Sequence, residues 1–246
     1  MIYVGTSGWQ YDDWRGAFYP MDLPKRHWLG YFAERFPTVE VNNSFYRLPS
    51  KETFARWRAE SSKEFVIGLK ASRYITHIRR LRGCRDAVRL LWSHAGALRE
   101  KLGPVLFQLP PNFRADPGLL EHFTRLLPRA MQPAFEFRDP SWNTEQVHGV
   151  LDRAGAALVA ADRPGARVRG VVTGGWAYLR FHQGRKDSPG YTREKLKRWA
   201  DRIATLDARD VFVYFNNDEE CAGVRDARTL ARLLAERLPR AAASPI

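Results

Sequence analysis

TVEVNNSFYRLP, residues 38–49, combines a short β-strand pattern with polar residues at the strand's end. Val39 and Val41 alternate with Glu40 and Asn42, so a strand would place the valines on one face and the carboxylate and amide on the other. A charged group on a buried strand face is unfavourable unless it is paired or binds a ligand. Whether Glu40 is a solvated residue or a site residue therefore depends on what covers each face of this strand.

Seven further stretches share this pattern, each mostly apolar and ending in polar or turn residues. The eight predicted strands are residues 2–9, 38–45, 64–72, 104–111, 133–142, 156–163, 176–184 and 210–218. Amphipathic stretches between most of them predict helices, and Asp116 followed by Pro117 is typical of a helix start. Alternating strands and helices form parallel sheets, so eight such units in 246 residues predict a TIM-like (β/α)8 barrel of the α/β class. The connection PGARVRGVVTGG lacks a clear helix, so we expect the barrel to be irregular between strands six and seven.

The length and composition favour a single domain over residues 1–240, with residues 241–246 as a frayed C-terminal tail. Hydrophobic residues make up 44% of the chain, which argues against intrinsic disorder. The chain begins without a signal-peptide pattern, no apolar stretch is long enough to cross a bilayer, and the two cysteines fit free thiols. We therefore expect a cytoplasmic protein with no membrane partner, while the oligomeric state stays open.

The net charge of the chain is +13, from 40 Lys and Arg against 27 Asp and Glu. Such an excess favours polyanionic partners, above all nucleic acid. An arginine-rich composition spread over a solvated surface gives the same excess, and the basic residues here are scattered rather than gathered in one tract. The charge alone leaves both interpretations open.

In a TIM barrel, helices cover the outward strand faces, and the inward side chains converge at the C-terminal mouth, where active sites lie. The alternation seen around Glu40 recurs in the later strands, so we expect one pocket at that mouth. The predicted catalytic residues are Glu40, Lys70, Glu136 and His182. The predicted substrate-binding residues are Asn42, Gln108, Arg138, Arg180 and Asn216, with Trp9, Tyr46 and Trp142 as aromatic walls.

These residue types indicate acid–base chemistry. Two carboxylates in different environments can divide the general-acid and general-base roles, and His182 could move a proton at neutral pH. Lys70 and Arg138 would lower the pKa of a carboxyl group or bind an anionic group. By fold analogy we expect a hydrolase-like enzyme, without a cofactor, that acts on a polar small molecule, either phosphate-bearing or sugar-like. A single divalent ion is the alternative, held by His77, Glu40, Glu136, Asp162 and His182.

Two other interpretations stay open. The chain could bind nucleic acid without catalysis, with arginine-rich loops on the phosphates and the predicted aromatic walls stacked on bases. Alternatively, pairs such as Glu40–Lys70 or Glu136–Arg138 would only close the barrel mouth as structural ion pairs. In both the enzyme and the structural interpretation, Glu40 should be buried and paired with Lys70 or Arg138.

Seven segments, in chain order, also resemble the YecE-like family, the domain of unknown function 72. They are GTSGWQYDDWRGAFYP, LGYFAERFPTVEVNNSFYRLPSKETFARW, KASRYITHIRRL, LFQLPPNF, FEFRDPSW, YLRFHQG and YFNND, and they cover nearly the whole chain. The resemblance implies a TIM-barrel-like fold and no established activity. The chain departs from the family pattern at Asp139, where a histidine is expected after FEFR, and at Gln183 after RFH. If the family histidine were catalytic, Asp139 would replace it or the role would be missing.

Overall fold

The computed structural model describes residues 1–163, 171–182 and 188–238. In this part of the chain, eight parallel strands follow one another around a closed barrel in sequence order. They are β1 (Ile2–Ser7), β2 (Thr38–Val41), β3 (Val66–Lys70), β4 (Leu102–Gln108), β5 (Pro133–Glu136), β6 (Ala157–Asp162), β7 (Ala177–Phe181) and β8 (Val211–Phe215). Pairing of β8 with β1 closes the ring, so the TIM-like barrel predicted from the sequence is confirmed.

Seven α-helices in the described residues surround the barrel. They are α1 (Trp28–Ala33), α2 (Lys51–Glu60), α3 (Arg85–Ala95), α4 (Pro117–Thr124), α5 (Glu145–Arg153), α6 (Arg193–Ala204) and α7 (Ala222–Ala235). The described residues between β6 and β7 contain no helix, as predicted, although residues 164–170 of that connection lie outside the described part. The tail predicted over residues 241–246 also lies outside it. Asp116 caps α4 as expected, since its Oδ1 accepts a hydrogen bond from the backbone N–H of Leu119 at 2.9 Å.

The strand alternation separates an outer apolar layer from the barrel interior. Outward residues such as Val39, Phe135 and Val213 are fully buried beneath the helices. Inside the barrel, a separate cluster that includes Tyr178 and Tyr214 forms an apolar floor. Tyr178 and Tyr214 each lie two positions before an inward polar residue, Arg180 and Asn216 respectively. The aromatic rings of this floor therefore lie directly beneath the polar mouth.

A glycine in β3 makes room for part of this floor. A Cβ atom at Gly68 would lie 3.0 Å from the hydroxyl oxygen of Tyr214. That hydroxyl forms a 2.8 Å hydrogen bond with Thr38 Oγ1, and the Thr38 hydroxyl also lies 2.8 Å from the backbone carbonyl of Val66. The tyrosine is thereby fixed across the lumen beneath the mouth. Among the helices of the described ranges, none combines the length and apolar character required to cross a membrane.

Candidate functional site

A buried ion network occupies the centre of the barrel mouth. Glu40 on β2, Glu136 on β5 and Arg180 on β7 are each at most 1% exposed. Arg180 Nη2 lies 2.8 Å from Glu40 Oε1, and Arg180 Nη1 lies 2.7 Å from Glu136 Oε2. The predicted burial of Glu40 is confirmed, but its ionic partner is Arg180, which corrects the predicted pairing with Lys70 or Arg138. Arg180, predicted as a substrate-binding residue, has its guanidinium group bound to the two carboxylates.

Glu40 accepts hydrogen bonds on both of its carboxylate oxygens. Ser7 Oγ donates to Oε1 at 2.6 Å, and the Tyr178 hydroxyl donates to Oε2 at 2.5 Å. Burial raises the pKa of Glu40, but Arg180 and the two hydroxyl donors lower it by more, so the pKa lies below its ordinary value. Glu40 is therefore an ionised and firmly held acceptor at neutral pH.

Glu136 is bound more loosely than Glu40. Its Oε2 accepts from Arg180 and, at 2.9 Å, from Gln108 Nε2, whereas the nearest donor to Oε1 in the described residues is Arg138 Nε at 3.4 Å. Burial raises the pKa of Glu136, but the positive charge of Arg180 and then His182 lower it, to a net value of about 2. An ionised oxygen of Glu136 therefore faces Arg138, whose side chain is 32% exposed.

Lys70, at the end of β3, has no carboxylate partner in the part of the chain that the structure describes. Within the described chain its ammonium group has neither a hydrogen bond nor an ion pair, and its Nζ lies 4.3 Å from the centre of the Phe45 ring. Burial and then the positive charge of Arg180 lower the pKa of Lys70 to about 8, despite the opposing effect of the nearby carboxylates. A lysine with this pKa carries an appreciable fraction of neutral amine near physiological pH. Lys70 is thus positioned to gain or lose a proton under ordinary conditions.

Asn42, Asn216 and His182 form a hydrogen-bonded row at the same mouth. Asn42 Nδ2 donates to Asn216 Oδ1 at 3.0 Å, and Asn216 Nδ2 lies 3.3 Å from His182 Nδ1. Because an amide nitrogen donates, Nδ1 is the acceptor and Nε2 carries the ring proton. Burial and then Arg180 lower the pKa of His182 to about 4, so the ring is neutral at pH 7. His182 Nε2 and Asn42 Oδ1 are buried without a hydrogen-bond partner in the described part of the chain, which leaves a donor and an acceptor for a ligand.

The three predicted aromatic walls lie in different environments. Trp142 is fully buried and stacks on Phe137 with ring centroids 4.6 Å apart, and Trp9 is buried edge-on against Trp57. Both tryptophans belong to the apolar layers around the barrel, so their predicted role as ligand walls is corrected. Tyr46 is 74% exposed and remains available to a ligand.

Asp139, at the position where the family pattern has histidine, caps its own turn. Its Oδ1 accepts a hydrogen bond from the backbone N–H of Ser141 at 2.9 Å, at the start of the 3-10 helix Pro140–Trp142. The carboxylate thus has a local structural partner. Gln183, the other departure from the family pattern, lies outside the described residues.

The five residues predicted to hold a divalent ion do not form a metal site in the described part of the chain. Asp162 accepts a hydrogen bond from Trp199 Nε1 at 3.1 Å and pairs with Lys195 at 2.9 Å, while Glu40 and Glu136 are bound to Arg180. His77 packs edge-on against Phe45. Among the residues that the structure describes, no group of three or more His, Cys, Asp or Glu side chains is arranged to hold a metal ion.

Ser7, Tyr178 and Phe45 contact the site but were not among the residues predicted to form it. Tyr178 has the inward parity of its strand because it precedes Arg180 by two residues, and Ser7 faces the same way because it is paired with Glu40 in the sheet. That parity was a usable signal. Phe45 stands beside Tyr46 in the opening stretch, but nothing local to the sequence indicates that Lys70 lies over its ring.

Comparison with known proteins identifies a family model and a curated relative that cover nearly the whole chain. The family model "Protein of unknown function DUF72" matches residues 3–245. The UPF0759 protein YunF of Bacillus subtilis is 25% identical over an alignment of 271 residues that covers 95% of each chain. The UPF0759 protein YecE of Escherichia coli K12 is 31% identical over 145 residues, which cover 58% of this chain and only half, 50%, of that protein.

Solved structures show the same architecture. A DUF72 family protein from Thermotoga maritima has 27% sequence identity and a TM-score of 0.86, with 96% of this chain and 99% of that chain covered. A DUF72 family protein from Enterococcus faecalis has 19% identity and a TM-score of 0.82, with 100% and 99% covered, and this second match shows the shared fold alone.

Proposed function

This chain belongs to the DUF72 family, and we propose that it is an enzyme that carries out acid–base chemistry on a small anionic molecule in the mouth of its barrel. The observation that carries the proposal is Lys70, a partly desolvated amine at the C-terminal end of a barrel strand that has no ionic partner among the described residues. Strongly perturbed titratable groups cluster at functional sites, and this end of the strands is where TIM barrels carry out chemistry. The substrate class is phosphate-bearing or sugar-like.

The charge of the mouth favours an anionic ligand. Glu40 and Glu136 are compensated in part by Arg180, and Arg138 and protonated Lys70 add two positive charges, which leaves one net positive charge. Arg138 is 32% exposed and its contact with Glu136 is 3.4 Å long, so its guanidinium group can turn to a phosphate or carboxylate.

Both carboxyl groups are ionised at neutral pH, which changes the chemistry expected of this mouth. A hydrolase of the two-carboxylate type needs one protonated carboxyl group as general acid. The pKa of Glu40 lies below its ordinary value, and that of Glu136 is about 2. We therefore assign the proton transfer to Lys70, and the two carboxylates position and polarise the groups around it.

Lys70→Met should lower kcat about 100- to 10,000-fold on whichever compound is turned over, the range for loss of an acid–base group. The screen would contain sugar phosphates, hydroxy acids and nucleoside monophosphates. For the wild type, the rate should rise with pH through about 8, because the neutral amine of Lys70 is the active base. Arg138→Met should mainly raise KM, since this arginine binds the anionic group.

Lys195→Met is the matched control for Lys70→Met. Lys195 also lies over an aromatic ring, 4.7 Å from the centre of Tyr191, but it pairs with Asp162 at 2.9 Å outside the mouth. We expect it to keep wild-type kcat. If Lys70→Met retained turnover with the same pH dependence as the wild type, the assignment of proton transfer to Lys70 would be contradicted.

A second candidate function, nucleic-acid binding, is favoured by the surface beside the mouth. We call residues 43–47 and 72–83 the β2–β3 rim, whose two segments meet where Phe45 contacts His77 with centroids 5.0 Å apart. On this rim, Tyr46 is 74% exposed and Tyr74 is 47% exposed. The exposed Arg47 follows Tyr46, and the exposed Arg73 precedes Tyr74. Exposed aromatic side chains beside arginines are the typical elements of a single-strand binding surface.

If the rim binds single-stranded nucleic acid, a fluorescent oligonucleotide should bind with an affinity that falls steeply with salt. Tyr46→Ala and Tyr74→Ala should each weaken binding by about 1–3 kcal/mol, the contribution of one stacked base. Glu40→Gln should leave it unchanged, because Glu40 is buried inside the mouth. Salt-insensitive binding, or equal binding by the tyrosine variants, would count against this function.

A further inference from the structure

We propose that Lys70 condenses with a carbonyl carbon of the substrate, so that the substrate is a small aldehyde or ketone that carries an anionic group. This inference rests on the proposed function, which makes Lys70 the reactive group of the mouth. It adds the substrate's functional group and a covalent intermediate. An open-chain sugar phosphate and a keto acid both have the required chemistry.

The surroundings of Lys70 differ from those of lysines with structural roles in this chain. Lys101 is buried, but its Nζ donates to two backbone carbonyls and to the Ser61 hydroxyl, at 2.7 to 3.0 Å. Lys195 pairs with Asp162. Lys70 has neither kind of partner in the described chain and rests on the Phe45 ring. An amine without an acceptor to hold its protons is free to present its lone pair to an electrophile.

Two other atoms of the mouth, each without a hydrogen-bond partner among the described residues, match a carbonyl group and its adduct. His182 Nε2–H is a buried donor, which suits the carbonyl oxygen that becomes negative as the amine attacks. Asn42 Oδ1 is a buried acceptor, which suits a hydroxyl group of the substrate or of the adduct. Arg138 binds the anionic group. Lys70 and His182 respond to the same charges, those of Glu40, Glu136, Arg138 and Arg180, so both border one ionic centre.

The covalent step balances with water as the only by-product. The neutral amine of Lys70 forms a C–N bond as the carbonyl π pair moves to oxygen, and the oxygen takes the proton released by nitrogen. The resulting carbinolamine takes up one proton from solvent, which replaces the proton that Lys70 lost on becoming neutral. Its hydroxyl group leaves with that proton as water, and a protonated imine remains. The imine draws electrons from the adjacent carbon, which activates the bonds at that carbon.

Borohydride trapping tests the inference directly. The wild-type chain is incubated with glyceraldehyde 3-phosphate or pyruvate and then reduced, and peptide mass spectrometry locates the adduct. We expect a gain on Lys70 equal to the probe's mass less one oxygen atom. At pH 7 the free-amine fraction of Lys70 exceeds that of an ordinary lysine by roughly 300-fold, so labelling should exceed that of Lys195 at least about tenfold. Glyceraldehyde and acetone, which lack the anionic group, should label Lys70 much less.

Lys70→Arg keeps the charge but cannot form the imine, so its adduct should be absent, and Lys195→Met should label like the wild type. If the arginine variant folds poorly, Lys70→Met replaces it, because methionine also lacks the amine and its adduct should likewise be absent. Equal labelling of exposed lysines and Lys70, or no Lys70 adduct with either anionic probe, would overturn the inference. If turnover of some compound still depended on Lys70 in that case, the proposed function would stand, with the amine acting as a base. If Lys70 proved dispensable for turnover as well, both would fail.

Discussion

Arg180→Met is expected to lower the free energy of unfolding by about 3–5 kcal/mol, the range for breaking a buried ion pair from one side. Arg180 is the cation that joins Glu40 and Glu136 by contacts of 2.8 and 2.7 Å, and all three side chains are buried. Methionine fills similar space without charge, so the variant leaves two carboxylates close together with their main compensation removed. Urea denaturation at pH 7 measures the difference.

Arg138→Met is the control for this prediction. It also removes an arginine next to Glu136, but the contact is 3.4 Å and the side chain is 32% exposed, so the loss should stay below about 1 kcal/mol. Adding Glu40→Gln and Glu136→Gln to Arg180→Met should recover part of the stability, because the unpaired charges are removed. Similar unfolding curves for Arg180→Met and Arg138→Met would show that the network contributes little.

The difference in the free energy of unfolding between Arg180→Met and the wild type should also become smaller as the pH falls. In the wild type both carboxyl groups have folded pKa values below their ordinary ones, so their contribution is present above the unfolded pKa and is lost as the pH falls. For Glu136 this loss spans the range from 4.5 to about 2. Without Arg180, burial is the main remaining effect and raises both pKa values, so protonation stabilises the variant relative to the wild type.

The sequence was sufficient to predict the barrel and most of the residues at its mouth, because both follow from local periodicity. Side chains alternate along each strand, so the inward parity of Glu40, Gln108 and Glu136 can be read from their neighbours. The pairing could not be read in this way. β2 and β7 are not adjacent in the barrel, and the contact between Glu40 and Arg180 depends on a long side chain that crosses the lumen.

The aromatic residues show where local patterns stop being informative. A tryptophan that follows a strand can turn into the mouth or fold back under the helices, and the direction depends on the loop. Trp142 stands on a short 3-10 helix, where its Nε1 donates to the Phe113 carbonyl at 2.6 Å, a contact 29 residues away in sequence. Burial of Trp142 is therefore a tertiary property that composition and spacing do not contain.

Gly5→Ala should destabilise the barrel by about 3 kcal/mol or more, at the upper end of the range for overpacking. A Cβ atom at Gly5 would lie 2.1 Å from the carbonyl oxygen of Thr38 and 2.9 Å from its carbonyl carbon. Both atoms are backbone of β2, so rotation of a side chain cannot relieve the clash. β1 and β2 would have to separate, although their pairing at Ser7 and Glu40 holds this edge of the ring closed.

The same separation should weaken the site, because Ser7 Oγ donates to Glu40 Oε1 at 2.6 Å across these two strands. Gly96→Ala is the matched control, since a Cβ atom there has no neighbour within 4 Å and its φ of −57° suits alanine. Alanine at Gly96 should raise stability by about 0.4–1 kcal/mol, because it restricts the unfolded chain. Urea denaturation of the two variants should therefore shift in opposite directions. Equal shifts would mean that β1 and β2 can part without loss, and the close approach at Gly5 would then not be what brings Ser7 to Glu40.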